Sequence, residues 1–312
     1  MSENKNVLVI GNGGREHALC WKLADSPYVQ NIYCAPGSVG IGATNKVTNV
    51  DIDLKKFEVL TKWCTTQEID LVIVGPEDPL ANGIVDALTS VGISCFGPTK
   101  AGAQIESNKE WAKKFMTKYG IPTARYESFT DAQAAKAFVN SANFPALVVK
   151  ASGLAAGKGV VVATNKEDAC HAVDEILTEA KFGNAGQTLV IEELLEGDEV
   201  SVLAFTDGET ISMMPPAQDH KRIGDGDTGP NTGGMGAYSP CPLVTQEQLT
   251  VIKEQVLQKA IDGLRAEGIK YVGSQFYAQG PVPYSQGLCH FVQCAEGHQL
   301  CVPRSYLKLC VA

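Results

Sequence analysis

FPALVVKASGLAAGKGVVVA, residues 144–163, is the stretch of this sequence that decides its fold. An apolar run ends at Lys150, a glycine-rich segment follows, and apolar residues resume at Val160, which predicts a strand, a mobile loop and a second strand. Glycines let backbone amides approach a ligand, and lysine ammonium groups are charge-assisted donors to phosphate oxygens. The pattern therefore predicts a hairpin that binds a triphosphate, and the alternative is a surface hairpin without a ligand. The residues of this predicted phosphate loop are Lys150, Gly153, Gly157, Lys158 and Gly159.

The loop is not a Walker phosphate loop. No helix opens directly after it, and no Ser or Thr follows Lys158. If it binds a nucleotide, it does so as the tip of a β-hairpin.

The whole chain has the composition of an ordinary globular protein. Its 312 residues are 44% hydrophobic and 20% charged, enough for two or three domains. The start is polar and no apolar run reaches about 18 residues, so we expect a cytoplasmic protein without a membrane segment. A net charge of −9 argues against nonspecific nucleic-acid binding. Any phosphate site must therefore be local.

The ten cysteines do not indicate a disulfide framework. Such frameworks are typical of small secreted domains, whereas here single cysteines are scattered through apolar and loop contexts. We expect these six to be reduced thiols: Cys20, Cys34, Cys64, Cys95, Cys170 and Cys241. The other four lie in the last 24 residues.

The first hundred residues alternate short strands with helices. Strand-like runs at 7–10, 31–34, 71–74 and 94–96 are separated by helical stretches, which include 54–64 and 84–91. This alternation predicts an α/β fold with a parallel, doubly wound sheet. Ligands of such sheets bind at the carboxyl ends of the strands.

Two predicted strands end in candidate substrate-binding loops. Gly13 and Gly14 open a helix, but Glu16 stands where a dinucleotide fingerprint has its third glycine. We expect the turn to hold a phosphate monoester, with Arg15 and Glu16 exposed, or to be only a tight turn. Glu77, after the strand at 71–74, is a candidate for binding a ribose or an amine. The neighbouring Asp78 could equally cap a helix before Pro79.

A helix at 109–119 leads into a small unit at about 125–193, and an acidic linker, EELLEGDEV at 192–200, follows it. An adenine amino group needs an acceptor and its ring nitrogen a backbone donor, and such a linker offers both. Glu199 could chelate ribose hydroxyls. The alternative is a solvated turn.

The long loop at 218–238 is a candidate reaction site, because loops of this length inside an ordered unit are usually functional. Lys221 and Arg222 could neutralise a transferring phosphate, and Asp219 and Asn231 could orient polar substrate groups. We interpret His220 as a packing residue, because no partner acid stands at nucleophile spacing.

Taken together, five segments resemble glycinamide ribonucleotide synthetase, also called phosphoribosylamine–glycine ligase, of the ATP-grasp superfamily. They are GNGGREHAL at 11–19, GPEDPLANG at 75–83, KASGLAAGKGV at 150–160, EELLEGDEVS at 192–201 and QDHKRIGDGDTGPNTGGMGAYSP at 218–240. The resemblance runs in order from about Asn6 to Gly273. It implies a Rossmann-like N-terminal domain at 1–104 and an ATP-grasp domain at 105–273 with a lid subdomain at about 125–193.

The resemblance also implies a reaction, in which ATP drives the joining of glycine to 5-phosphoribosylamine through glycyl phosphate, with Mg²⁺ or Mn²⁺ as the metal. The implied nucleotide-binding residues are Lys109, Lys150, Gly153, Gly157, Lys158, Gly159, Glu192, Glu193, Leu194, Leu195 and Glu199. Arg222, Asn231 and Asp219 would line the reacting end. Gly13, Gly14 and Glu77 would frame the phosphoribosylamine. The implied partners are these small molecules, with no nucleic acid or membrane.

The resemblance ends after Gly273, and residues 274–312 form a divergent tail. The family's strand pair and magnesium-binding segment are not recognisable there, so we expect a C-terminally incomplete ATP-grasp domain that lacks its metal ligands. Cys289, Cys294, His298 and Cys301 match no standard zinc spacing. Three interpretations stay open: an active glycine ligase, a nucleotide-binding but inactive fragment, and a different ATP-grasp ligase of a carboxylate and an amine.

Overall fold

The structure is a computed structural model that describes residues 4–155, 158–226, 228–232 and 236–281, with the backbone alone at 230, 231 and 274–281. Gly157 and most of the predicted tail, 282–312, lie outside the described residues. None of the described helices is both long and apolar enough to cross a membrane.

The described strands, in chain order, are β1 (Lys5–Gly11), β2 (Val29–Pro36), β3 (Val47–Asn49), β4 (Leu71–Val74), β5 (Ser94–Phe96), β6 (Tyr126–Phe129), β7 (Val148–Ala151), β8 (Val160–Val162), β9 (Leu189–Glu192), β10 (Glu199–Thr206), β11 (Ile211–Met213), β12 (Gln218–Asp219), β13 (Arg222–Gly224), β14 (Thr228–Asn231), β15 (Ala237–Tyr238) and β16 (Gly273–Pro281).

The described α-helices are α1 (Gly14–Ala24), α2 (Val39–Gly42), α3 (Phe57–Thr66), α4 (Glu77–Asn82), α5 (Ile84–Ser90), α6 (Lys100–Ser107), α7 (Lys109–Lys118), α8 (Ala132–Ser141), α9 (Lys166–Val173), α10 (Gln246–Ile252) and α11 (Lys259–Ala266). Helix α9 continues as π-helix at Asp174–Thr178, α10 and α11 are joined by π-helix at Lys253–Gln258, and a 3-10 turn spans Gly183–Gly186.

The N-terminal sheet is parallel and doubly wound, which confirms the predicted α/β fold. Its strand order is β3-β2-β1-β4-β5. Side chains of β1 alternate: Val7 and Val9 pack in one core with α1, and Leu8 and Ile10 pack in another with α3 and α5. The order reverses between β1 and β4, so the loops after these two strands flank the crevice where open α/β sheets bind ligands.

The predicted hairpin is confirmed in an antiparallel sheet of order β6-β9-β7-β8. We call this sheet with α8 and α9 the lid unit. Apolar side chains from one face of the sheet pack against α8 and α9. The opposite face of the sheet lies outside this core.

The third sheet, β11-β10-β16, packs against α10, α11 and α7. We expected the strands beyond Gly273 to be missing, and here the structure corrects the sequence interpretation. Strand β16 starts at Gly273 and pairs antiparallel with β10 along its length. Buried β10 needs partners for its backbone groups on both edges, and β11 covers only its last three residues, Ala204 to Thr206. Strand β16 pairs with the opposite edge of β10.

Candidate functional site

The face of the lid sheet opposite its core combines charges with apolar side chains. Val149 of β7 and Ile191 of β9 belong to the lid core, so strand alternation places the residues next to them on the opposite face. This lid face consists of Val148, Lys150, Val160, Val162, Val190 and Glu192. Val160 and Val162 are exposed. The two valines form an apolar surface beside Lys150 and Glu192, and such a surface is suited to a planar ring. The sequence analysis did not predict this surface, although the run of valines at 160–162 was a signal for it.

A buried carboxylate at the centre of this face holds two lysines. Glu192 is 2% exposed. Its Oε2 accepts hydrogen bonds from Nζ of Lys150 at 3.0 Å and lies 3.1 Å from Nζ of Lys113. The sequence analysis predicts that Glu192 contacts adenine. In the structure its carboxylate binds two lysines, and the contact with adenine stays a prediction. Lys113 was not predicted at all, although it lies four residues after Lys109 on the same helix face.

Lys109 lies beside this pair and has a strongly shifted proton affinity. Burial lowers the pKa of Lys109 to about 8, helped by the positive charge of Lys150 and opposed by Glu192 and Glu106. Burial likewise lowers the pKa of Lys113 to about 8, against the attraction of Glu192. Three lysines around one carboxylate leave excess positive charge in a poorly hydrated place. Such an arrangement favours an anion.

The start of the glycine loop is attached to the start of α7. Asn108 caps α7, and its Oδ1 accepts a hydrogen bond from the hydroxyl of Ser152 at 3.1 Å. The Lys109 ammonium donates to the carbonyl of Gly153 at 3.2 Å. The amide of Gly153 donates to the carbonyl of Ala185 at 2.9 Å. These contacts bring the predicted residues Lys109, Lys150 and Gly153 into one place.

The far end of the loop is described from Lys158 onward. Lys158 is exposed, and its amide donates to the carbonyl of Ala155 at 2.9 Å. The carbonyl of Gly159 accepts from the amide of Ala151 at 2.8 Å and closes the hairpin. The assignment of Lys158 and Gly159 to the phosphates stays a prediction.

The linker after β9 is fixed by its own backbone. The amide of Glu193 donates to the carbonyl of Arg125, and that of Leu194 donates to the carbonyl of Pro145. The Glu193 carboxylate forms a two-pronged ion pair with Arg125, whose guanidinium covers the ring of Phe144 at 4.3 Å. The amide of Leu195 donates to none of the residues that the structure describes. The contact of this linker with an adenine ring nitrogen stays a prediction.

Glu199 and Asp219 are brought together by Lys221. The Lys221 ammonium lies 2.9 Å from Oε2 of Glu199 and 3.0 Å from Oδ2 of Asp219. Arg222 is exposed and donates to the carbonyl of Gly229 at 2.9 Å. The β13–β14 hairpin places Arg222 opposite Asn231, whose side chain lies outside the described atoms. Glu199 begins β10 and Asp219 ends β12, while Arg222 and Asn231 pair across β13 and β14. Their ribose and reacting-end roles stay predictions.

The ring of His220 lies 5.9 Å from that of Tyr238. This is the packing contact that the sequence analysis expected for it.

The crevice at the end of β1 contains a buried carboxylate where exposure was expected. Glu16 is 3% exposed, so that prediction was wrong. Its Oε2 accepts from the amide of Gly13 at 2.8 Å, and its Oε1 accepts from Nε of Arg15 at 2.7 Å. A Cβ added at Gly11 or Gly75 would come within 2.5 Å or 2.0 Å of the Glu16 side chain. The ends of two adjacent strands therefore leave room for this carboxylate by carrying glycine.

The remaining crevice residues keep their predicted position but not every predicted detail. Gly14 begins α1 and Glu77 begins α4, at the ends of neighbouring strands β1 and β4. Helix α4 is capped by Pro76 rather than by Asp78, which lies inside the first turn. The binding of a phosphate or an amine by Gly13, Gly14 and Glu77 stays a prediction.

The described residues contain no group of three or more His, Cys, Asp or Glu side chains that could hold a metal ion. The cysteines and histidine of the tail lie outside the described residues, as does the part of the chain where we expected the metal ligands to be missing.

Comparison with known proteins identifies the family. The model described as Phosphoribosylglycinamide synthetase, N domain, matches residues 5–106, and the one described as Phosphoribosylglycinamide synthetase, ATP-grasp (A) domain, matches residues 107–280. The second match extends seven residues past Gly273, where we expected the resemblance to end. The predicted domain boundary between 104 and 105 stays a prediction.

Curated relatives show the same similarity. The trifunctional purine biosynthetic protein adenosine-3 of Drosophila melanogaster is 64% identical over 270 residues, which are 86% of this chain and 20% of that protein. The phosphoribosylamine–glycine ligase of a Nostoc strain is 53% identical over 267 residues, which are 86% of this chain and 62% of that one. The chain thus spans less than two thirds of the length of these relatives.

A solved structure agrees with these matches. The phosphoribosylamine–glycine ligase of Thermotoga maritima superposes with a TM-score of 0.74 at 30% identity, over 92% of this chain and 68% of that one. The two family models follow each other along the chain in the order of the sheets described above, and together they cover most of it. The chain belongs to the phosphoribosylglycinamide synthetase family.

Proposed function

We propose that the active site of this chain is built for the ATP-dependent ligation of glycine to 5-phosphoribosylamine. In this reaction a glycine carboxylate oxygen attacks the γ-phosphorus of ATP, and ADP leaves. The amine nitrogen then attacks the carbonyl carbon of glycyl phosphate, a proton leaves the nitrogen, and inorganic phosphate departs. The products are glycinamide ribonucleotide, ADP and phosphate.

The observation that carries the proposal is the cluster of three lysines around buried Glu192, one of them buried and two half-buried, next to the glycine hairpin. Phosphoryl transfer is catalysed mainly by positioning and by neutralising charge on the phosphate oxygens. Lys109 and Lys150 carry part of the positive charge that this requires. The amide and carbonyl groups of the linker at 193–195 would bind adenine against Val160 and Val162.

The reacting end would lie on the short strands β12, β13 and β14. Glu199 would bind the ribose, while Arg222, Asp219 and Asn231 would orient glycine and the transferring phosphate. The crevice with Gly13, Gly14 and Glu77 would hold the phosphoribosylamine. Helix N-termini such as that of α1 favour anionic groups of this kind.

ATP-grasp enzymes use ATP with a divalent metal, which would neutralise phosphate charge when bound. Because the described residues offer no group of metal ligands, we assign no residue of this chain to it.

The test is phosphate release by the purified chain with ATP, Mg²⁺, glycine and phosphoribosylamine. We expect nucleotide binding and, at most, slow phosphate release that needs both co-substrates. Binding of ATP without phosphate release would favour the inactive-fragment interpretation. Release with another carboxylate and amine in place of these two would favour a different ligase.

A further inference from the structure

Lys113 is a buried lysine for which the proposed reaction has no use so far. It lies in the middle of α7 and is 3% exposed. Its ammonium donates to Oγ1 of Thr123 at 2.8 Å and to the carbonyl of Ala124 at 3.2 Å, and it lies 3.1 Å from Oε2 of Glu192. An ammonium group has three N–H donors, so these three partners satisfy it. Lys113 therefore does not reach a ligand itself.

Lys113 and Lys150 share one carboxylate oxygen. Nζ of Lys150 lies 3.0 Å from the same Oε2 of Glu192, and Lys150 belongs to the lid face. With Lys113 present, the negative charge of Glu192 is divided between two cations. Without it, a larger share of the Glu192 charge would fall on Lys150.

The charge balance of the cluster depends on this sharing. Lys109, Lys113 and Lys150 surround the carboxylate of Glu192, and Glu106 attracts Lys109 as well. Removing the charge of Lys113 would lower the excess of lysines over Glu192 from two to one. In a poorly hydrated site this difference acts directly on a nearby anion.

We propose that Lys113 is a positioning residue for polyphosphate binding: it holds Glu192 in place and leaves the charge of Lys150 available to the nucleotide phosphates. The inference rests on the proposed function only in taking ATP as the ligand. It differs from a purely structural role, in which Lys113 would stabilise the fold and affect all ligands equally.

The test compares ligands that differ in phosphate charge. Titration calorimetry with adenosine, ADP and ATP is carried out on the full chain and on Lys113→Met. We expect ATP to bind about tenfold more weakly to the variant, ADP to lose less, and adenosine to bind as before. Lys114→Met is the matched control, because Lys114 is the next residue, is exposed and pairs with Glu110 at 2.6 Å. It should leave all three affinities unchanged.

A second variant keeps the test decisive if Lys113→Met does not fold. In Lys113→Met with Glu192→Gln no carboxylate is left buried beside too few partners, and the net charge of the cluster returns to that of the original protein. We expect its ATP affinity to return to within about threefold of the original.

Three outcomes would overturn the inference. One is an equal loss of adenosine and ATP affinity in Lys113→Met. Another is a double variant as weak as the single one. The third is an unaltered chain that binds ATP no more tightly than adenosine. That result would contradict the proposed function as well, whereas the first two would contradict only the role of Lys113.

Discussion

At the scale of single residues, Lys150 is the side chain on which nucleotide affinity should depend most directly. It ends β7 immediately before the glycine loop, and Glu192 orients its ammonium. Loss of a charge-assisted contact costs about 1.5–3 kcal/mol, so we expect Lys150→Ala to weaken ATP binding about tenfold or more. Titration calorimetry measures this, with the exposed Lys166→Ala in the same unit as control. Unchanged affinity in a folded Lys150→Ala protein would remove Lys150 from the site.

Lys109 makes a prediction about pH. Its pKa is lowered by burial to about 8 from an ordinary value of 10.5. Between these values the unfolded chain holds the proton and the folded chain does not, so raising the pH over this range should stabilise the ligand-free protein. The penalty is complete below pH 8 and disappears towards pH 10.5. Across this range the melting temperature should therefore rise less steeply with pH for Lys109→Met than for the original protein. Parallel profiles of melting temperature against pH would contradict the lowered pKa of Lys109.

At the scale of elements, the β7–β8 hairpin depends on a close approach at Gly153. A Cβ at this position would lie 2.7 Å from Cα of Ala185, so the loop or the 3-10 turn would have to move. We expect Gly153→Ala to cost about 1–3 kcal/mol of unfolding free energy, measured by denaturant titration. Gly40→Ala is the control, because the nearest atom to its Cβ would be Cε1 of His17, at 3.4 Å. Equal stabilities of the two variants would show that this contact is not needed.

The same hairpin should respond to nucleotide. Few contacts hold the described ends of the loop, among them the bonds from Gly153 to Ala185 and from Lys158 to Ala155. Phosphates that accept from loop amides would add protection that these bonds do not supply. We expect hydrogen exchange at Leu154, Ala155 and Lys158 to slow when ATP is added, relative to strand β6. Exchange at the same rate with and without ATP would count against a loop that covers the phosphates.

At the scale of the whole molecule, the chain matches its family to residue 280, while the ligase of the Nostoc strain is longer than the matched region. We expect the chain to bind nucleotide but to turn over little or no glycine, because the reaction needs groups that neutralise γ-phosphate charge beyond the lysines described here. A chimera in which residues 281–312 are replaced by the corresponding ending of that relative should release phosphate faster. Comparable turnover by the two proteins would show that this expectation is wrong.

The sequence by itself determined the elements and the family. The alternation of short strands with helices predicted the parallel sheet, and the glycine-rich segment after Lys150 predicted the hairpin. The five motifs, in their order along the chain, predicted the ATP-grasp domain. These predictions were possible because each signal is local along the chain. Proximity between distant segments is not local. Lys113 and Lys114 are equivalent in the sequence, and only packing of α7 against β9 buries the first beside Glu192 and leaves the second in solvent.

The burial of Glu16 could not be predicted from the sequence either. It depends on Gly11 and Gly75, which lie at the ends of two strands that are adjacent only in the folded sheet. Strand β16 also depends on tertiary structure. The sequence after Gly273 did not resemble the family's strands, yet it forms a strand here because the backbone groups of β10 need a partner. Local pattern determines which elements form. Which charges are buried together, and therefore how the site attracts an anion, is decided only when tertiary structure brings distant residues out of water into contact.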